Sequence, residues 1–353
     1  MDITSNCPLR IGALFWQPFA GVWALTVACK ATFRLVPGTA ELVEPGDDPN
    51  EQDRPWDDDP SRGLRSVCDL VPLKPAAEVL LVGHAFPESR ARTRALPARM
   101  SVGHVDKAIE VPAGFVPSDR WTTVPTAGLG PISPAWPERR ALLGEHAASF
   151  GPGAWRRQPL PSGLDPSYFQ TAPLDQRLSA LTGDEVITLT HLHPKHAHLS
   201  SRLPGLLPRV TLERPGEGTR ELDAVADTLW IDTDRGIATL VWRAEVPVAH
   251  PLEAGEITVA MVRPGGESLR SKGAPQRLRA KDLAREWGAL AVEGEREDTV
   301  RIHAVAAPEP LPFRPPSVAP VAAIAPVAPA TKTGEAGSGA SIGERLATVR
   351  PVG

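Results

Sequence analysis

Residues 227–243 read DTLWIDTDRGIATLVWR, two runs rich in Thr, Ile, Leu, Val and Trp on either side of a short polar turn. β-Branched and aromatic residues of this kind are enriched in strands. The DTDRG turn is short and contains glycine, as an antiparallel hairpin requires. We therefore predict paired strands over 220–231 and 237–246, with Trp230 and Trp242 on facing strands as a packed pair in the core.

The same strand and turn signals recur on both sides of this hairpin. A second glycine-containing joint, PGEG (215–218), leads into the hairpin from a strand over 207–213 and predicts a three-stranded meander. The chain contains 39 prolines, about twice the average usage, and frequent proline disfavours long helices. Further strands are predicted over 22–35, 78–83, 96–111 (two strands), 185–192, 256–263 and 299–306, and helical segments over 137–146, 175–181 and 280–292.

The predicted fold is mainly β, with an antiparallel β-sheet or sandwich-like core, a few short helices and a disordered Pro/Ala-rich C-terminal tail. We expect one β-rich domain over 1–306, which can divide into lobes of about 1–155 and 156–306 because an irregular stretch precedes the second half. From residue 307 to 353 the composition shifts to Pro, Ala, Gly and Ser, which cannot bury a core.

Composition excludes several classes of protein. The formal net charge is −4 without a basic stripe, so we expect no nucleic-acid partner. The three cysteines are widely spaced and form no CxxC pair, which argues against a zinc ribbon or a thioredoxin-like site. The first residues lack the basic n-region of a secretory signal, and the tail is too proline-rich for a membrane helix. We expect a cytoplasmic protein with no membrane insertion and no cofactor.

A cluster of histidines follows the predicted strand 185–192. His191 and His193 would continue the strand face of Ile187 and Leu189, because side chains repeat every two residues. Imidazoles this close together can supply metal ligands, although no nearby cysteine completes a set. The cluster His191, His193, His196 and His198 is therefore either a polar strand exit, which the pattern favours, or a metal site.

Six short motifs carry a resemblance to a known family. They are FQTAPLDQR (169–177), GDE (183–185), LPG (203–205), the DTLWIDTD…LVWR hairpin, and the entries KATFRL (30–35) and DLVPLKP (69–75) into two earlier strands. Together they resemble a bacterial domain-of-unknown-function family of type VI secretion adaptor or chaperone proteins, encoded beside PAAR-type spike proteins and toxin effectors. The resemblance covers roughly residues 20–260.

The resemblance implies a non-catalytic adaptor or chaperone that binds a type VI secretion effector or a PAAR-type spike protein and helps load it for export. The residues themselves supply no GxSxG elbow and no phosphate loop, so we do not expect an enzyme. The alternatives are a metal-dependent hydrolase using the cluster His191–His198, or a structural component of the exported spike. The oligomeric state is left open.

The first of these motifs offers candidate partner-binding residues. Aromatic and arginine side chains dominate interface energetics when they are desolvated at the centre of a contact. We predict a partner site at Phe169, Gln170, Asp175, Gln176, Arg177 and Asp184. The alternative is that this run caps the core, with Arg177 paired internally to Asp175 or Asp184. A separate motif residue, Lys74, is predicted to be an edge lysine that extends its charge to solvent.

Overall fold

The computed structural model describes residues 1–59, 62–72, 74–87, 95–112, 121–122 and 129–285. They belong to a compact unit that spans Met1–Thr299. Three predictions lie outside the described residues: the end of the helix over 280–292, the strand over 299–306, and the disordered tail. Within the described residues, no helix is both long enough and apolar enough to cross a membrane.

Strands make up most of the secondary structure. In chain order they are β1 (Asp2–Ser5), β2 (Arg10–Phe19), β3 (Val22–Arg34), β4 (Gly38–Thr39), β5 (Glu41–Leu42), β6 (Arg54–Pro55), β7 (Leu64–Ser66), β8 (Ala77–Val82), β9 (His84–Ala85), β10 (Ala95–Val102), β11 (Val105–Pro112), β12 (Trp121–Thr122), β13 (Arg177–Leu178), β14 (Val186–Thr190), β15 (His198–Arg202), β16 (Leu207–Arg214), β17 (Gly218–Leu222), β18 (Val225–Asp232), β19 (Ile237–Val248), β20 (Glu256–Val262), β21 (Ser268–Leu269) and β22 (Gln276–Leu278). The helices are α1 (Pro137–Arg140) and α2 (Ala280–Arg285), with 3-10 turns at Trp56–Asp58, Ala141–Ala148, Ala154–Arg156, Pro166–Phe169 and Leu174–Gln176.

The central sheet has the strand order β13-β8-β18-β19-β3-β2, with β5 added beside β3. Its β18–β19 hairpin confirms the prediction made from residues 227–243. β19 then pairs antiparallel with β3 along nearly its whole length, from Ile237 opposite Arg34 to Val248 opposite Trp23. Only β8 and β18 run parallel among its main strands. The long strands β3 and β19 therefore form the middle of the molecule.

Two further sheets pack against the central one. Their orders are β17-β16-β20-β1-β22, with β21 beside β20, and β11-β10-β14-β15-β4. Apolar side chains from all three sheets, including Phe33, Trp242, Ile187 and Ile257, form one continuous core. The mainly β fold is thus confirmed, and mixed pairing replaces a purely antiparallel arrangement because β1 runs parallel to β20.

The three-stranded meander was a wrong prediction. The segment 220–231 does not form one strand, because β17 pairs with β16 in one sheet while β18 lies in the central sheet. Asp223 and Ala224 carry the chain from one sheet to the other. A strand pattern gives the face that a residue occupies but does not specify the partner strand. The change of sheet is therefore invisible in the hydrophobic pattern.

The predicted tryptophan pair is also wrong. Trp230 lies opposite Thr239, and Trp242 is three residues further along β19. Because side chains alternate between faces, an odd separation places the two rings on opposite faces of the sheet. Trp242 is buried in the main core, whereas Trp230 is half-buried against Leu80 and Ala172 on the other face.

The helical predictions hold only in part. The segment predicted over 137–146 begins as α1 but continues as a 3-10 turn, in which Gly144 has a φ of 52°. The segment over 175–181 is a short 3-10 turn followed by β13. The predicted division near residue 155 does not separate lobes, because strands from both sides of that point share each of the three larger sheets.

The two faces of the central sheet differ in character. One face contributes to the main core. The other, which we call the polar face, carries Glu78, Thr228, Val241 and Lys30 in one row across β8, β18, β19 and β3. The segment 142–169 covers part of this face with Leu143, Phe150, Trp155, Tyr168 and Phe169, which pack on Leu14, Trp16, Ala28 and Val241.

Gly83, at the end of β8, supports this architecture. It has a φ of 109°, and a Cβ atom there would stand 3.0 Å from the backbone nitrogen of Asp234 in the β18–β19 turn. Gly83→Ala should therefore lower the free energy of unfolding by about 2–4 kcal/mol, through a left-handed backbone and a backbone clash together.

The matched control is Gly216→Ala, since Gly216 has a φ of 82° with nothing near its Cβ position. Gly216→Ala should lower the free energy of unfolding by about 1–2 kcal/mol, through backbone strain alone. Urea denaturation of both variants gives the comparison. Equal losses would show that the close contact between Gly83 and the turn does not matter.

Candidate functional site

The motif residues converge on the polar face of the central sheet. Glu78 lies opposite Thr228, Thr228 opposite Val241, and Val241 opposite Lys30, so these side chains project to the same side. Segments far apart in sequence, from the KATFRL, DLVPLKP, DTLW and LVWR motifs, add charged groups to this row. These four segments therefore belong to one spatial cluster.

Arg243 is the largest charged side chain in this cluster and is 0% exposed. Its Nη1 donates to Oδ1 of Asp227, while Nε and Nη2 donate to the Asp69 carbonyl oxygen at 3.0 and 2.7 Å. Burial by itself would lower the pKa of Arg243. The neighbouring carboxylates of Asp227 and Asp69 outweigh burial and hold that pKa above its ordinary value. Arg243 thus fixes β18 and the 67–71 segment to β19.

A second buried pair joins Lys74 to Glu78. Lys74 Nζ donates to Glu78 Oε1 and, at 2.8 Å, to Thr228 Oγ1. Burial would raise the pKa of Glu78, but the ammonium of Lys74 and the hydrogen bonds to the carboxylate lower it. The prediction of Lys74 as a solvent-facing edge residue was wrong, because its side chain is enclosed between β8 and β18.

A third buried pair, Lys30 with Asp69, lies at the next position of the row. Lys30 Nζ is 2.8 Å from Asp69 Oδ2, which also accepts from the backbone nitrogen of Asn50 at 2.7 Å. Because Asp69 uses its carboxylate for Lys30 and its carbonyl for Arg243, it connects two strands and a loop. We call Lys30, Asp69, Lys74, Glu78, Asp227, Thr228 and Arg243 the buried charge network.

The network also anchors the FQTAPLDQR motif. The Glu78 carboxylate accepts hydrogen bonds from the backbone nitrogens of Thr171 and Ala172 at 2.7 and 2.9 Å. Gln170 Nε2 donates to the Ala76 carbonyl at 2.9 Å, and Gln176 Nε2 to that of Val79 at 2.7 Å. Both amides are buried. The two ends of the motif are thus held against β8.

The remaining predicted partner-binding residues divide between interior and surface. Phe169 is buried, with its ring 5.3 Å from that of Trp155. Arg177 is half-buried and donates to the Ala172 carbonyl and to Gln170 Oε1. It pairs with neither Asp175 nor Asp184, so the predicted alternative of an internal pair with one of them is wrong. Phe169, Gln170, Gln176 and Arg177 therefore shape the loop, rather than forming its outer surface.

The tip of the motif is exposed. Leu174 is 81% exposed, the highest value among the large apolar residues with exposed side chains. Beside it, Asp175 accepts from Lys107 Nζ of β11 at 2.8 Å. Asp184 lies on the surface further along, paired with Arg202 at 3.2 Å. We call Pro173, Leu174 and Asp175 the loop tip; the sequence motif gave no indication that Leu174 would point outward.

The histidines form two separate pairs. The rings of His191 and His198 are 5.7 Å apart, and those of His193 and His196 are 4.9 Å apart. The strand ends at Thr190, and His191 has a φ of 54°, so the alternation expected for His191 and His193 is broken there. Among the residues that the structure describes, no group of three or more His, Cys, Asp or Glu side chains is arranged to hold a metal ion.

His193 is the buried member of the cluster. Its Nδ1 accepts from the backbone nitrogen of Lys195 at 3.2 Å, and its Nε2 faces Gly236 of the β18–β19 turn. Burial lowers the pKa of His193, and the nearby imidazole of His196 lowers it further. The ring is therefore a neutral packing group at the edge of the core.

The family assignment rests on the segments that build the network. A model of the bacterial family described as "Uncharacterized protein conserved in bacteria (DUF2169)" matches residues 20–116 and 112–243. The chain belongs to the DUF2169 family. The matched residues include every member of the buried charge network and the loop tip. Neither a curated protein nor a solved structure matches the chain.

Removing one member of a buried pair leaves the other charge unpaired. Glu78→Ala in this DUF2169 protein should lower the free energy of unfolding by about 3–5 kcal/mol, because Lys74 loses its counter-ion in a fully buried site. The control is Glu221→Ala, which removes an exposed partner of Arg209 and should cost about 0–1 kcal/mol. Urea denaturation measures both; a small effect of Glu78→Ala would contradict the structural role of the network.

Stability should fall as the solution is acidified below neutrality. The folded protein binds a proton at His193 less readily than the unfolded chain, so its contribution is present above about pH 6.5 and is lost as the pH falls. Between about pH 7 and pH 5, His193→Gln should lose less unfolding free energy than the parent protein. His104→Gln, a substitution in the exposed β10–β11 turn, is the control and should follow the parent curve.

Proposed function

We propose that this DUF2169 protein is a non-catalytic adaptor or chaperone that binds a type VI secretion effector or a PAAR-type spike protein and helps load it for export. The partner class comes from the resemblance of its motifs to adaptors encoded beside such proteins. The geometry of the FQTAPLDQR motif supports a role in binding a protein. Of the motif residues predicted to contact the partner, Asp175 lies at the exposed surface.

One observation carries the proposal: the motif holds an exposed leucine on a rigid base. The buried amides of Gln170 and Gln176 fix both ends of the loop, and the Glu78 carboxylate fixes the backbone between them. Leu174 at the tip is 81% exposed. A preorganised loop loses little conformational entropy on binding, and an apolar side chain gains free energy when a partner covers it.

The charges around Leu174 suit a specific contact. Asp175 and Lys107 form an ion pair at the surface, with the Lys107 side chain the more buried of the two. Charged groups around an apolar contact favour the correct partner and orientation more than they raise affinity. The proposed contact therefore has Leu174 at its centre and the Asp175–Lys107 pair at its rim.

The metal-dependent hydrolase is the main alternative. A catalytic zinc site needs about three protein ligands on one ion. Within the described residues the histidines instead form the pairs His191–His198 and His193–His196. Metal analysis of the purified protein distinguishes the two proposals: stoichiometric zinc or nickel would favour the hydrolase. Recovery of the protein with the secreted spike would favour the structural-component alternative.

Leu174→Asp tests the adaptor proposal directly. The variant should reduce co-purification of the effector or PAAR-type protein encoded beside it by about tenfold or more, because a charge replaces the central apolar contact. The thermal midpoint should stay within a few degrees of the parent value, since the Leu174 side chain is 81% exposed and buries little surface.

The matched control is Phe19→Asp, which changes another exposed apolar residue, at 65% exposure, in the β2–β3 hairpin. It should leave co-purification unchanged. Equal loss in both variants would point to a general effect of surface charge, and full retention in Leu174→Asp would remove the loop tip from the partner site. Arg177 is left intact in this test because its guanidinium supports the loop.

A further inference from the structure

A groove of about 630 Å³ lies on the part of the polar face next to the buried charge network. Trp230, Thr239 and Ile237 of the β18–β19 hairpin form its floor. Trp56, Arg54 and Arg65, from the β6–β7 segment, form one wall. Its volume is within the range of small-molecule and peptide sites, about 300–1,000 Å³. We call it the Trp56–Trp230 groove.

Most charges around the groove already have partners. Arg235 donates to both carboxylate oxygens of Asp47, at 2.6 and 2.8 Å. Asp234 pairs with His84 at 2.7 Å, and Lys30 with Asp69 at 2.8 Å. Asp48 pairs with Arg10. These groups neutralise one another within the protein. The unpaired charges that a ligand can meet are therefore those of the β6–β7 wall.

That wall carries two guanidinium groups without a carboxylate. Among the described residues, neither Arg54 nor Arg65 is part of an ion pair, and both are exposed. The Arg65 guanidinium lies over the Trp56 ring, 5.7 Å from its centre. Stacking on an aromatic ring orients an arginine while its N–H groups stay available. The oriented Arg65 guanidinium, with Arg54 lining the same groove, is suited to binding a carboxylate.

The floor offers a different chemistry beside them. Trp230 is half-buried and Ile237 is buried, and together they present an apolar surface next to the arginines. Asp232, two residues after Trp230 on the same strand face, accepts a hydrogen bond from the Arg235 backbone nitrogen through Oδ1, at 3.1 Å. The backbone nitrogen of Asp234 also lies against the Asp232 carboxylate. Asp232 forms no ion pair among the described residues, and a carboxylate has about four lone-pair sites, so it can accept one more N–H group at the end of the floor.

We propose that the Trp56–Trp230 groove binds an extended peptide segment of a partner protein, with an acidic side chain on Arg54 and Arg65 and an adjacent apolar side chain on Trp230 and Ile237. The Asp232 carboxylate accepts a backbone N–H group of that segment. An acidic and apolar peptide matches all three surfaces of the groove. A peptide with a lysine in place of the acidic side chain would set that charge against Arg54 and Arg65, which repel it.

This inference goes beyond the adaptor role and does not depend on it. The groove and the loop tip consist of different residues, and the ligand chemistry follows from the groove itself. Co-purification tests the loop tip with the natural partner, whereas a synthetic peptide tests the groove. Failure of one test therefore leaves the other standing.

Isothermal titration of the full-length protein with acetyl-Leu-Glu-Leu-Glu-Leu-amide tests the proposal. The peptide should bind, and Arg54→Gln with Arg65→Gln should weaken binding by about tenfold. The control double variant Arg209→Gln with Arg220→Gln removes the same charge from the sheet that contains β16 and β17, and it should bind like the parent. Circular dichroism confirms that both variants are folded.

A charge reversal keeps the test decisive. Arg54→Glu with Arg65→Glu should lose the Glu peptide and gain binding of the matching peptide with lysines in place of glutamates. The proposal is overturned if the Glu peptide fails to bind at millimolar concentration or if both double Gln variants lose binding equally. It is also overturned if the parent binds the lysine peptide as well, or if inorganic phosphate displaces the peptide at equal concentration, which would indicate a simple anion site.

Discussion

The buried guanidinium of Arg243 is the constraint on which the rest of this structure depends. A fully buried charge is costly unless its hydrogen bonds and a counter-ion are supplied. Here the counter-ion is Asp227 of the neighbouring strand, and the remaining donors meet the backbone carbonyl of Asp69. Satisfying Arg243 therefore fixes β18, β19 and the 67–71 loop together. Lys30 of β3 and Lys74 beside β8 are also buried and also need counter-ions, which are Asp69 and Glu78.

This constraint explains why the motifs of the family lie so far apart in sequence. KATFRL, DLVPLKP and the two halves of the hairpin motif each contribute one or two side chains to the network. FQTAPLDQR contributes the backbone N–H groups that the Glu78 carboxylate accepts. Glu78 has a double role, because its carboxylate neutralises Lys74 and also caps the backbone of Thr171 and Ala172. The loop that presents Leu174 is consequently built on the buried charges. The exposed loop tip and the buried charge network are thus connected directly through Glu78.

The polar face of the central sheet has two uses. The segment 142–169 covers one part with aromatic and aliphatic side chains. The other part stays open as the Trp56–Trp230 groove, where the pairs Asp47–Arg235 and His84–Asp234 brace the walls. Threonines and charged side chains on the floor of the groove are costly to bury in an apolar core. The apolar face of the central sheet therefore forms the main core, and its polar face carries the groove.

The sequence by itself determined the mainly β architecture, most strand positions and the β18–β19 hairpin, because alternation, β-branched residues and glycine turns are local properties. It also marked the FQTAPLDQR motif. Only the tertiary structure decided that β17 and β18 belong to different sheets, that Lys74 is buried against Glu78, and that Leu174 rather than Phe169 is the exposed apolar residue of the motif. Strand partners and charge partners are set by contacts between residues distant in sequence, and a local pattern carries no record of which segments will meet.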